Sequence, residues 1–265
     1  MLDNQTLALL SGKFIIGILI FVRIAGIIGS SPFFKYDGIP MQVKIMLSVI
    51  LAISVTSTFW KEQPTIDFHL WNMVFLIMKE LLMGLIIGFS ANTVFFAANF
   101  AGGLVDNEMG FQTGALFNPE NTNPTILGEF KEIIVIIVFL LINGHHYIIE
   151  AIYLSVRAVP VTTFAISETT IHYLVVMATS ILMIGIKLSS PMLLAMFVTN
   201  LSLALLSRVA PQTNIFALSF QFKIAVGLIV LFISIPLFVM VAKFSLSSVQ
   251  TEMLNVIMSL NPKRV

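Results

Sequence analysis

Apolar residues run along this chain in long blocks, separated by short breaks marked with polar residues, proline and glycine. Six blocks approach the about 20 residues that an α-helix needs to cross a hydrocarbon core. They span roughly 14–34, 43–60, 73–104, 133–153, 171–206 and 216–242. The cleanest stretches, 81–105, 188–207 and 224–242, carry no formal charge. The fourth block is different: only 133–142 is strongly apolar before Asn143-Gly144-His145-His146, which suits a half-span or a broken helix packed in protein. Pro32, Pro40, Pro64, Pro119, Pro124 and Pro160 punctuate the connections. The pattern predicts an all-α integral membrane protein forming one domain over 1–265, and it leaves 102–132, with five acidic residues between apolar blocks, as the longest polar interruption.

Composition points the same way. Hydrophobic residues make up 58% of the chain and charged residues 10%, with a mean hydropathy of +1.00, which is too little polar surface to cover a soluble core. A net charge of +1 without an internal basic run excludes a nucleic-acid partner. The chain has no cysteine, which removes disulfides and thiolate chemistry. The start, 1–12, lacks the basic and small-residue signature of a removable signal, so it is expected to be retained. Under six spans, Lys13, Lys61, Arg157, Lys243, Lys263 and Arg264 face one side, and Lys35, Lys44, Lys131 and Arg208 the other, which barely orients the chain.

Arg23, Lys79, Lys187 and Lys223 lie in or near apolar blocks, where a mid-bilayer charge costs about 2.5–3.5 kcal/mol on insertion scales. Each needs a partner, an interface or a packing role, or else marks an ion pathway. Lys79 and Glu80 are neighbours in sequence and point about 100° apart on a helix, so they do not pair by themselves. His145 and His146 are likewise adjacent and expected to diverge; a metal site is not expected, and a polar role at a helix break is. No nucleotide-binding, nucleophile-elbow or paired-carboxylate motif is present, so neither catalytic residues nor a cofactor is expected. Gly84 and Gly88 form a GxxxG that favours close helix packing.

A more specific pattern lies in Arg208-Val209-Ala210-Pro211-Gln212-Thr213-Asn214-Ile215-Phe216, followed by Phe222-Lys223-Ile224 and Gly227. With Arg23-Ile24-Ala25-Gly26, Ser31-Pro32-Phe33, Asp106-Asn107-Glu108-Met109-Gly110-Phe111 and Asn143-Gly144-His145-His146 in order, the chain resembles the FliR/SctT family of type III export-gate proteins over nearly its whole length. Gln221 stands where many relatives carry proline. The resemblance implies a non-enzymatic subunit of the bacterial inner membrane, within the flagellar basal body, whose helical hairpins assemble with FliP and FliQ family subunits into a pore. It further implies contact with an FlhB family protein and with lipid, and passage of unfolded export substrates. It makes Arg23, Arg208, Pro211, Gln212, Asn214, Phe216 and Lys223 assembly residues. It also implies a pore-plugging loop from Gly110 to about Asn123, with Phe111, Leu116 and Phe117 filling the closed pore and Gly110 and Gly114 allowing movement. The alternatives are the equivalent subunit of a virulence secretion system and a secondary transporter using Arg23, Lys79, Glu80 and Glu150.

Overall fold

A computed structural model describes residues 4–35, 39–64, 70–111, 125–212 and 215–261. Every regular element among them is helical: α1 (Asn4–Ser30), the short α2 (Pro32–Lys35), α3 (Met41–Phe59) with a 3-10 turn at Trp60–Glu62, α4 (Leu70–Met109), α5 (Ile126–Leu141), α6 (Gly144–Ala158), α7 (Glu168–Val209) and α8 (Ile215–Ser259). Among the described residues, five helical stretches are long and apolar enough to cross a membrane: Gly12–Ser30, Met41–Glu62, Trp71–Met109, Glu168–Val209 and Leu218–Ser259.

The block expected at 133–153 is broken, as its sequence suggested. Asn143 adopts left-handed φ 58 and ψ 33 between α5 and α6, a conformation asparagine tolerates better than most residues. With that block in two pieces, the sidedness drawn from six spans no longer follows. The polar interruption is also shorter than expected, because α4 continues through Asp106 and Glu108 to Met109, and α5 already begins at Ile126. At the other end of the chain, α8 runs 17 residues past the apolar block, to Ser259; beyond Lys243 it is kept helical by a buried face of Leu246, Val249, Met253 and Val256.

Two compact units emerge. Unit 1 comprises Met1–Thr93, Asn143–Met177 and Ser248–Val265; unit 2 comprises Val94–Ile142 and Ala178–Ser247. In unit 1, α1 and α4 meet at glycines. A Cβ on Gly84 would drive into the carbonyl oxygen of Arg23, and one on Gly88 into the Ser30 hydroxyl, so the GxxxG serves the close approach its spacing predicted. Ser167 and Thr170 hydroxyls donate to the Ser259 carbonyl at 3.3 and 2.9 Å, closing the end of α8.

In unit 2, a Cβ on Gly102 of α4 would meet the backbone of Gly128 in α5. Phe95 and Phe139 stack edge to face at 5.6 Å. Pro191 lies inside α7 and cannot donate to the Lys187 carbonyl one turn back. The Ser190 hydroxyl donates to that oxygen instead, at 2.9 Å. Helix α8 runs unbroken through Gln221, where a proline would have removed an amide donor.

Candidate functional site

The site begins where α4 stops. Gly110, at φ 84, ends the helix. Its N–H donates to Asn107 O at 3.2 Å and Asp106 O at 3.0 Å, and the Phe111 N–H donates to Asp106 O at 3.0 Å. This is a Schellman cap, which glycine enters without the Cβ penalty of other residues. The apolar contact such caps favour is present too. Phe111, half-buried, packs against a cluster of Val105, Met109, Leu127, Met192, Met196 and Leu231.

Asp106 has a second task. Its buried carboxylate accepts the Leu127 N–H at 3.1 and 3.2 Å through its two oxygens. Leu127 lies in the first turn of α5, so one residue of α4 both terminates its own helix and satisfies a free amide at the start of the next. The two ends of segment 112–124 are thereby tied to a single residue. Nearby, Asn99 donates to Glu132 at 3.0 Å and Asn200 of α7 to Glu108 at 3.2 Å.

Lys131, one turn further along α5, is 3% exposed. Its ammonium reaches Ala101 O at 3.4 Å and lies 5.6 Å from the Phe238 ring. Burial pushes it down to about 8, with the Asp106 carboxylate opposing the shift. Below pH 8 both folded and unfolded chains carry the charge, and the folded one bears its desolvation. As pH rises toward 10.5 the folded state loses its proton first and gains stability. At about 1.4 kcal/mol per pH unit, this window is worth on the order of 3 kcal/mol. Lys131→Met is therefore expected to flatten the rise in melting temperature between pH 8 and 10.5; an unchanged slope would show that Lys131 does not cause it.

The second buried constellation is in unit 1. Arg23 and Glu80 are both fully buried and paired, Nε to Oε2 at 2.6 Å. Arg23 Nη1 also donates to the carbonyls of Ser155 and Val159 at 2.9 and 2.8 Å, at the end of α6, where the helix dipole favours a cation. The other oxygen of Glu80 accepts the Thr162 N–H at 2.8 Å. That bond holds Thr162 at φ 75, a backbone conformation that β-branched residues rarely take. Arg23 thus finds its partner 57 residues away, beyond the reach of any local spacing rule.

The remaining basic residues do not join this pair. Lys79 lies over the Phe75 ring at 5.0 Å; Lys187 is exposed and Lys223 half-exposed. Glu150, exposed, accepts from Gln250 at 2.9 Å. Of the four groups a transporter would have used, only Arg23 and Glu80 come together. His145 and His146 do not diverge: their rings approach to 4.2 Å, and the buried Nδ1 of His145 has no hydrogen-bond partner. Arg208, Pro211 and Gln212 are exposed at and just beyond the end of α7, and Phe216 lies in the first turn of α8. Asn214, Gly114, Leu116 and Phe117 lie outside the described residues. Sequence reasoning missed the double role of Asp106, although Gly110-Phe111 after an apolar helix carries the signature of the cap that reveals it.

The sequence pattern of the bacterial export proteins, family 1, matches residues 14–249. The chain belongs to that family. Similar bacterial export proteins include the flagellar biosynthetic protein FliR of Bacillus subtilis (strain 168), 27% identical over 238 residues, or 87% of this chain and 90% of that protein. FliR of Pectobacterium carotovorum subsp. carotovorum is 30% identical over 218 residues, 82% and 83% of the two chains. The Yop proteins translocation protein T of Yersinia pestis is 35% identical over 176 residues, 64% and 67%. Loop base and buried ion pair both lie inside the stretch that the family pattern covers.

Proposed function

We propose that this protein is a component of bacterial type III protein export, an assembly subunit and not an enzyme, which builds a gated pore with FliP and FliQ family subunits. One observation carries the assembly. Large exposed apolar residues line α7 from Ile171 through Met183, Leu194 and Leu201 to Val209, a contour of about 57 Å. A hydrocarbon core is about 30 Å thick, much shorter than that contour. Lipid alone does not cover that surface; partner subunits do.

The base of segment 112–124 supports the gating role. Closure is assigned to Phe111, Leu116 and Phe117, movement to Gly110 and Gly114. Phe111 packs against a cluster that includes Met109, Met192 and Met196, thioethers that repack around a moving aromatic ring at small cost. Arg208, Pro211, Gln212, Asn214, Phe216, Lys223 and Arg23 serve assembly in this reading, with an FlhB family protein as a further contact and unfolded substrates as cargo. The location is the bacterial inner membrane, in the flagellar basal body. Flagellar export is favoured because flagellar relatives match 80–87% of the chain. The higher identity of the Yersinia protein favours a virulence apparatus, and loss of motility on gene deletion separates the two.

The test is co-expression of the tagged chain with FliP and FliQ family subunits, followed by native mass spectrometry in mild detergent. A defined mixed assembly is expected. Deleting 110–118 should leave assembly intact and let small ions leak through reconstituted gates. A monomer beside well-folded partners would end the assembly reading, and unchanged permeability would end the plug.

A further inference from the structure

A groove of about 560 Å³ opens in unit 1 between α1 and α3. Small residues, Gly17 and Ala52, leave the space, while Phe14, Phe21 and Ile53 flank it. From Lys13 to Phe21 the groove follows α1 for about 12 Å.

Its chemistry changes in order along that length. At one end Lys13, exposed, holds its ammonium 5.4 Å from the Trp60 ring, and Lys61 adds a second positive charge next to Trp60 in the chain. Tryptophan and lysine together are the residues that settle at a lipid headgroup level. About one helical turn inward lies Thr56, 7% exposed, whose Oγ1 has no hydrogen-bond partner. Its neighbours on α3 behave differently. Ser48 donates to Lys44 O at 2.8 Å, Ser57 to Ser54 O at 2.8 Å and Thr58 to Ser54 O at 3.0 Å, the usual back-bonding of hydroxyls in helices. Thr56 is the exception, and it lines the groove. A buried hydroxyl left unbonded is destabilising, so a ligand oxygen at this level is favoured. Beyond it the lining is apolar.

We propose that this groove binds one acyl chain of an anionic phospholipid, with the phosphate at Lys13, an ester carbonyl accepting from the Thr56 hydroxyl, and the hydrocarbon between Phe14, Ile53 and Phe21. The order of cation, hydroxyl and apolar slot matches the order of phosphate, ester and chain in the lipid. This rests on the membrane location and on the groove staying open beside the export partners.

The full chain contains two tryptophans, and Trp71 is 89% exposed, so Trp71→Phe leaves Trp60 as a reporter at the charged end. The probes are phosphatidylglycerol and phosphatidylcholine, each brominated early in the acyl chain, added to the purified protein in detergent. Saturable quenching is expected at about fivefold lower concentration of phosphatidylglycerol, the factor one cation contributes at an anionic surface. Lys13→Gln should bring the two lipids together. Gly17→Leu, whose added side chain enters the groove, should abolish saturable quenching with helicity unchanged; should that variant not fold, the Lys13→Gln comparison decides. Equal quenching by both lipids, or saturable quenching that survives Gly17→Leu in a folded chain, refutes the proposal. So does complete shielding of Trp60 from both lipids in the assembly with FliP and FliQ family subunits, because a partner helix would then occupy the groove.

Discussion

Replacing Arg23 with methionine removes about 3–5 kcal/mol of stability, enough to lower the yield of folded chain sharply, since whole domains are stable by only about 5–15 kcal/mol. The loss comes mainly from Glu80, which is left fully buried with its charge unpaired. Adding Glu80→Gln to Arg23→Met removes that charge and preserves an oxygen for the Thr162 N–H, so the double variant should recover most of the loss. What remains is on the order of 1–2 kcal/mol, for the Val159 carbonyl that Arg23 no longer serves. The Ser155 carbonyl keeps the Val159 N–H at 3.0 Å. Thermal unfolding of the four chains in one detergent measures the coupling. Additive effects would mean that the pair is not a unit. An Arg23→Met chain with normal stability but altered export would place Arg23 in the working machinery.

The second large effect is steric. Gly84→Ala in unit 1 and Gly102→Ala in unit 2 each put a methyl group into backbone of a neighbouring helix, the Arg23 carbonyl in one case and Gly128 in the other. Backbone cannot rotate away as a side chain can, so each is expected to cost about 3 kcal/mol or more. Gly29→Ala is the contrast. A Cβ there meets nothing within 4 Å, and alanine is the better helix former by about 1 kcal/mol. Melting temperatures should therefore move in opposite directions along one series of identical chemical changes. A fall at all three positions would point to a general intolerance of substitution in place of helix contact.

The helices were legible because burial in lipid or protein demands long apolar runs with every backbone amide satisfied internally. The break at Asn143 was legible from its glycine and polar neighbours. Three things were not. The continuation of α8 past Lys243 depends on Leu246, Val249 and Met253 finding a core, and mean hydropathy averages that face away. The helical end of α4 looked like loop because Asp106 and Glu108 are charged; their bonds to Leu127 and Asn200 justify them only in three dimensions. The Arg23–Glu80 pair joins distant helices. Sequence correctly marked Arg23 as a residue in need of a partner and Glu80 as unable to pair with Lys79, but it contained no spacing that matched the two. The family resemblance singled out Gly110 and Phe111 for a plugging loop; what the structure shows at both is a helix cap.

Unit 1 is discontinuous: its core draws Ile20, Ile24 and Ile27 from the first helix and Val249, Met253 and Val256 from the last. During synthesis, therefore, the packing of α1 in unit 1 can be completed only after the stretch from Ser248 onward has been made. Unit 2, whose pieces end at Ser247, has all its residues first. For that interval the buried face of α1 lacks the part of its core that Val249, Met253 and Val256 supply, and a stop codon placed before Ser248 deprives the start of unit 1 as much as it shortens α8.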